Sequence, residues 1–161
     1  MAELLRVEMA TETLSTGRRR YEVLPRYPHM AAADLPVWEA FLLAHPHFFS
    51  TVEYDVRVGP GIAAIWTGEA RYARMARHLS QKRIDAVGYQ SDQIYLIEVK
   101  PRASAAAIGQ LLVYRYWFIR DFKPELSVVM AIVCSQDDPD LRPVREQYAI
   151  GLYTVEGVPN A

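Results

Sequence analysis

The sequence predicts an α/β fold, a mixed central sheet flanked by helices. Two observations carry this. Segments with alternating or continuous apolar residues interleave with segments of helical period. Pro, Gly and Asx clusters fall between them, where turns are needed. The chain has 161 residues, 51% of them hydrophobic and 23% charged, a balance that supports a packed core and excludes a disordered chain.

The elements follow in order. Leu4–Met9 has the pattern of a short strand. Arg18-Arg19-Arg20 sits in a polar stretch expected to be a solvated loop, and Pro25 and Pro28 interrupt regular structure beyond it. Asp34 has the chemistry of an N-cap and Pro36 sits near the first helical position, so a helix is expected from Leu35 to Ala44. Thr51–Val58 alternates, with Val52, Tyr54, Val56 and Val58 expected on one face and Glu53, Asp55 and Arg57 on the other. Gly59-Pro60-Gly61 ends this strand. Gly68–Leu79 has helical character and carries Arg71, Arg74 and Arg77.

Arg83–Tyr89 and Gln93–Lys100 are expected to form a hairpin through Gln90-Ser91-Asp92, with Pro101 ending the second strand. Ser104 can cap a long helix reaching about Asp121, with Ile108, Leu111, Leu112, Tyr116 and Ile119 as its apolar stripe. Leu126–Cys134 has the composition of a central strand covered on both faces. A short helix over Leu141–Gln147 and a last strand over Tyr148–Val155 complete a single domain spanning 1–161, with a core of about 35–155 and an N-terminal extension over 1–30.

Several function classes are excluded. Cys134 is the only cysteine, so no disulfide forms within the chain. No Cys/His cluster has the spacing of a structural zinc site. The first ten residues contain Glu3, Arg6 and Glu8 and do not form a signal peptide. The longest apolar run, Leu126–Cys134, has nine residues and is too short to span a bilayer. A soluble, cytoplasmic protein without membrane contact is expected. The net charge of −1 argues against coating a nucleic acid by bulk charge. Between Arg71 and Arg102, however, seven basic residues face three acids, so a local patch is available. Arg71, Arg74, Arg77 and Arg102 are its candidate phosphate contacts.

The chemistry concentrates on the hairpin. Glu98 and Lys100, two residues apart on one strand, project to the same face. The turn can bring Asp85 alongside them. Two carboxylates in one site repel and must be solvated, protonated or metal-bound. Mg²⁺ suits them, because it takes oxygen ligands from one or two carboxylates and retains water or phosphate. A neighbouring lysine can hold the attacking water or stabilise charge at a phosphate.

Asp85 on one strand, Glu98-Val99-Lys100 on the next, and Gln110-Leu111-Leu112-Val113-Tyr114 on the following helix together resemble the PD-(D/E)XK nuclease superfamily, in its RecB-like branch with a Gln-x-x-x-Tyr motif. The resemblance covers roughly residues 35–134. It departs at Asp85, which follows Ile84 where the family name has proline. It implies a restriction-endonuclease-like αβββαβ core, to which this order adds one helix. It implies metal binding by Asp85, Glu98 and the Val99 carbonyl, with Mg²⁺ as cofactor and Mn²⁺ as a substitute. Lys100 would orient water, while Gln110 and Tyr114 would support the site or contact substrate. The family often adds a glutamate from the first helix; Glu39 is the candidate and Glu53 its competitor.

The expected function is a Mg²⁺-dependent deoxyribonuclease acting as an endonuclease or end-processing enzyme on DNA. The alternative is a catalytically weak nuclease-like module that binds DNA or protein. A homodimer or a partner protein, the strand preference of the substrate, and DNA as against RNA all stay open.

Overall fold

The computed structural model describes residues 17–62 and 70–158. The strand expected at Leu4–Met9 and the start of the second helix at Gly68 lie outside them. One six-stranded sheet carries strands β1 (Arg19–Arg20), β2 (Thr51–Val58), β3 (Lys82–Tyr89), β4 (Gln93–Arg102), β5 (Ser127–Gln136) and β6 (Ile150–Thr154), in that spatial order. Strands β1 to β4 pair antiparallel; β4–β5 and β5–β6 pair parallel, so the sheet is mixed. Helix α1 (Leu35–Ala44) precedes β2, α2 (Ala70–Ser80) precedes β3, α3 (Ala105–Phe122) links β4 to β5, and α4 (Arg142–Gln147) precedes β6. No helix among the described residues is long and apolar enough to cross a membrane.

Each face of the sheet carries its own core. Val37, Trp38, Phe41 and Leu42 form the inward stripe of α1 and pack on Val52, Tyr54, Ile97 and Val99. Ala107, Ile108, Leu111, Tyr114 and Phe118 of α3 pack on Val56, Val58, Ile94, Leu96 and Ile132 from the other side. Ile94 and Leu96 lie in one cluster and Ile97 and Val99 in the other, as the two-residue period of a strand buried on both faces requires. Ser104 caps α3 by accepting from the Ala107 N–H, and Lys123 closes it in a left-handed conformation.

Tyr116 and Ile119, expected in the apolar stripe of α3, are exposed, and Tyr114 and Phe118 are buried in their place. Three further local expectations are corrected. The arginine run is not wholly loop, because Arg19 and Arg20 pair with Val52 and Thr51 as a short edge strand. Strand β4 does not stop at Pro101 but continues to Arg102. The Val99 N–H points toward β3, so the missing N–H at Pro101, two residues on, falls on that same side. Ladder pairing with β3 has already ended by then, at Ala86–Ile97, so the proline interrupts no rung of that ladder.

Strand β2 also does not keep one face. Asp55 has φ 55°, and the chain turns over at that residue. Val52 and Tyr54 join the α1 cluster, whereas Val56 and Val58 join the α3 cluster. Strand β3 changes face at the same level, with Ile84 in the α3 cluster and Ala86 in the α1 cluster. The register passes from Tyr54–Ala86 to Val56–Ile84 and skips the two acids between, Asp55 and Asp85. Carboxylates directly opposite each other destabilise a ladder, and here the pairing gives way between them.

Candidate functional site

The sheet opens where β3 and β4 part. Beyond the Ala86–Ile97 pair the ladder stops, and the Asp85 carboxylate takes over, accepting from the Val99 N–H at 2.9 Å. One residue earlier, Glu98 projects to the α3 side, 1% exposed. Lys100 follows on the same face, its Nζ 3.2 Å from Glu98 Oε1. A cleft of about 330 Å³ lies over these groups. Its walls come from His29, Ala31 and Asp34 before α1, Ser80 to Arg83 and Asp85 at the start of β3, Glu98 and Lys100, and Gln110 and Tyr114 on α3.

Gln110 and Tyr114, one helical turn apart, face this cleft together. With its nitrogen turned to Glu98, the Gln110 amide donates to Glu98 Oε1 at 3.2 Å and to the Ala106 carbonyl at 3.3 Å. The Tyr114 hydroxyl, 3.3 Å from the same amide, then donates to its oxygen. Glu98 Oε1 therefore has two donors, Gln110 and Lys100. Glu98 Oε2 is buried and has no hydrogen-bond partner.

The electrostatics follow from this crowding. Burial, and then the Asp85 charge, push the Glu98 carboxyl up to about 8 against the pull of Lys100. Burial raises Asp85 to about 6, although the Val99 N–H and Lys100 favour its charged form. Burial works to lower the Lys100 ammonium, but Glu98, Asp85 and Asp34 outweigh it and hold it above its ordinary value. Burial, then the Glu98 and Asp85 charges, raise the Tyr114 phenol as well. Two carboxyls that resist ionisation beside an unpartnered carboxylate oxygen are the arrangement a divalent cation would relieve. Among the described residues no three His, Cys, Asp or Glu side chains form a metal-binding group. The donors fit an ion that takes two carboxylates and completes its shell with water and phosphate, which describes Mg²⁺.

Neither Glu39 on α1 nor Glu53 on β2 lines the cleft. Glu53 meets the Tyr89 hydroxyl at 3.3 Å instead. Asp34 lines the cleft, 4% exposed, with its Oδ2 3.4 Å from Lys100 Nζ. Its side chain makes no capping bond to α1. The residue with the chemistry of a cap is thus an acid of the site, and an Asp one position before a helix looks the same in sequence for either role.

Arg71, Arg74 and Arg77 lie on α2, which contributes no residue to either core cluster, and Arg102 is exposed at the end of β4. None of the four lines the cleft. Arg71 and Tyr72 interact through a 3.0 Å hydrogen bond. Arg83, counted in the basic stretch from Arg71 to Arg102, pairs with Asp55, a contact that the sequence does not show. Arg83 donates to Asp55 through Nε at 2.5 Å and Nη2 at 2.7 Å. The hydrophilic positions of an alternating strand gave no sign of this pair, because it depends on the turnover at Asp55. Compared with protein-family models, curated proteins and solved structures, the chain finds no match.

Proposed function

We propose that the protein is a Mg²⁺-dependent nuclease hydrolysing DNA phosphodiester bonds, with Asp85, Glu98 and Lys100 as its catalytic groups. The observation that carries this reading is Glu98: a buried carboxyl with one unpartnered oxygen, sharing a cleft with a second carboxylate and a lysine. In order along the chain, α1, β2, β3, β4, α3 and β5 also follow the αβββαβ succession of the superfamily that the motifs resemble.

Asp85, Glu98 and the Val99 carbonyl would hold the metal. A bound Mg²⁺ would supply Lewis-acid polarisation of the phosphate and an activated water. Lys100, kept charged by three carboxylates, orients that water and offsets charge on the scissile phosphate. Gln110 and Tyr114 hold the Glu98 carboxylate in place. Asp34 fixes Lys100 from the α1 side. A cytoplasmic setting belongs to the same reading.

The test is cleavage of labelled single-stranded, duplex and branched DNA with Mg²⁺ or Mn²⁺, comparing wild type with Glu98→Ala and Lys100→Ala. Metal-dependent products from wild type are expected to fall by about 10²–10³-fold in each variant, the usual cost of removing one preorganised charged group. DNA binding without any products from wild type would favour a binding module. Equal products from all three proteins would mean that the site lies elsewhere.

A further inference from the structure

The cleft has a second set of groups that this reaction does not use. Arg57 and Arg83 are direct cross-strand partners on β2 and β3, where like charges repel. Both turn to one carboxylate. Arg83 grips Asp55 with two bonds, and Arg57 Nη2 lies 3.8 Å from Asp55 Oδ2. Arg57 Nη1 also donates to the His78 carbonyl, and Arg57 Nε is buried without a partner. One carboxylate neutralises one guanidinium and leaves the other positive charge over.

Burial first, and then the Arg57 and Arg83 charges, hold the His78 imidazole below the ordinary value, although Asp55 opposes them. Lys82, exposed and next to Arg83, adds a third cation, and both line the cleft.

The cleft therefore carries both kinds of group. Asp34, Asp85 and Glu98 line it with Lys100, and Arg83 and Lys82 line it with Asp55 and Arg57 behind Arg83. A ligand that suits both sets brings a divalent cation to the first and an anion to the second. Consecutive phosphates of a nucleic-acid strand, one of them metal-bound, meet that requirement.

We propose that Arg83, clamped by Asp55 and backed by Arg57 and Lys82, seats a backbone phosphate of the nucleic-acid strand beside the one at Glu98. The inference rests on the reading of the cleft as a phosphodiester site and adds the group that positions the strand. The grip on Asp55 uses one hydrogen each of Nε and Nη2 of Arg83 and leaves both hydrogens of Nη1 and the second of Nη2. It also fixes the guanidinium before the ligand arrives, so little side-chain freedom is lost on binding. Arg83 keeps 27% of its side chain exposed, enough to be reached.

The experiment measures anisotropy of a short labelled DNA duplex across a salt series, with a chelator present, for wild type and for Arg83→Gln, Arg83→Lys, Lys82→Gln and Glu98→Gln. Arg83→Gln is expected to weaken binding on the order of tenfold and to flatten the slope of log K against log salt by about 0.9, one phosphate contact. Arg83→Lys recovers the slope but not the full affinity, since an ammonium is a point charge without the fork. With Mg²⁺ present, Arg83→Gln raises KM and Glu98→Gln lowers kcat.

Unchanged affinity and slope in folded Arg83→Gln would overturn the proposal while leaving the nuclease reading intact. If Arg83→Gln does not fold, the exposed Lys82→Gln decides, and an unaltered slope there overturns the proposal equally. Wild type that binds with the expected slopes but yields no product would retain the phosphate seat and reject the nuclease.

Discussion

Replacing Glu98 by Gln removes a charge from the most buried part of the site while keeping an acceptor for Gln110 and Lys100. The metal-free variant should be more stable than wild type at alkaline pH. The Glu98 carboxyl sits at about 8 in the folded protein against an ordinary 4.5. A folded value raised above the unfolded one means stability that is complete below 4.5 and is lost as the pH climbs through about 8. Each unit corresponds to about 1.4 kcal/mol, so the ceiling is about 5 kcal/mol. Asp85 titrates with Glu98 and shares the effect, and local relaxation lowers it further; a difference of about 2–4 kcal/mol between pH 5 and pH 9 is expected. For a chain of this size that is about 5–15 °C in Tm.

His78, held low, acts oppositely below its ordinary 6.5. It is common to both proteins and cancels in the comparison. Lys100, raised above 10.5, titrates outside the window. The assay is urea unfolding with chelator at several pH values. Parallel stability curves for wild type and Glu98→Gln from pH 5 to pH 9 would refute the reasoning. They would mean that Glu98 bears no burial penalty for a cation to relieve.

Two further outcomes test the packing that holds the site. Tyr54→Phe removes the acceptor of the Trp38 Nε1–H, a 2.9 Å bond between two residues with no exposure, and should cost about 1–3 kcal/mol in urea unfolding; a neutral result would mean that the indole finds another acceptor. At Gly88 a methyl group would sit 2.5 Å from the Phe49 ring. That ring is hemmed in by Tyr21, Phe48 and Tyr95, so Gly88→Ala should lower stability by about 1–3 kcal/mol; an unshifted Tm would show that the ring can move aside.

Features that depend on residues near one another in the chain are legible before any folding is considered. Helical spacing and local punctuation place α1 at Leu35–Ala44, and strict alternation places β2 at Thr51–Val58, both as found. The i, i+2 relation puts Glu98 and Lys100 on one face, and the i, i+4 relation puts Gln110 beside Tyr114. The rest depends on contacts between segments distant in the chain. That Asp34 serves Lys100 and does not cap α1 depends on where the helix docks, 66 residues away in sequence from its partner. That β2 changes face, and that Arg57 and Arg83 share Asp55, depends on one left-handed residue whose backbone angle an alternating pattern does not record. The burial that raises Glu98 comes from the docked helices and sheet together, and a charge near the end of an apolar strand looks the same in sequence whether the fold leaves it in water or encloses it.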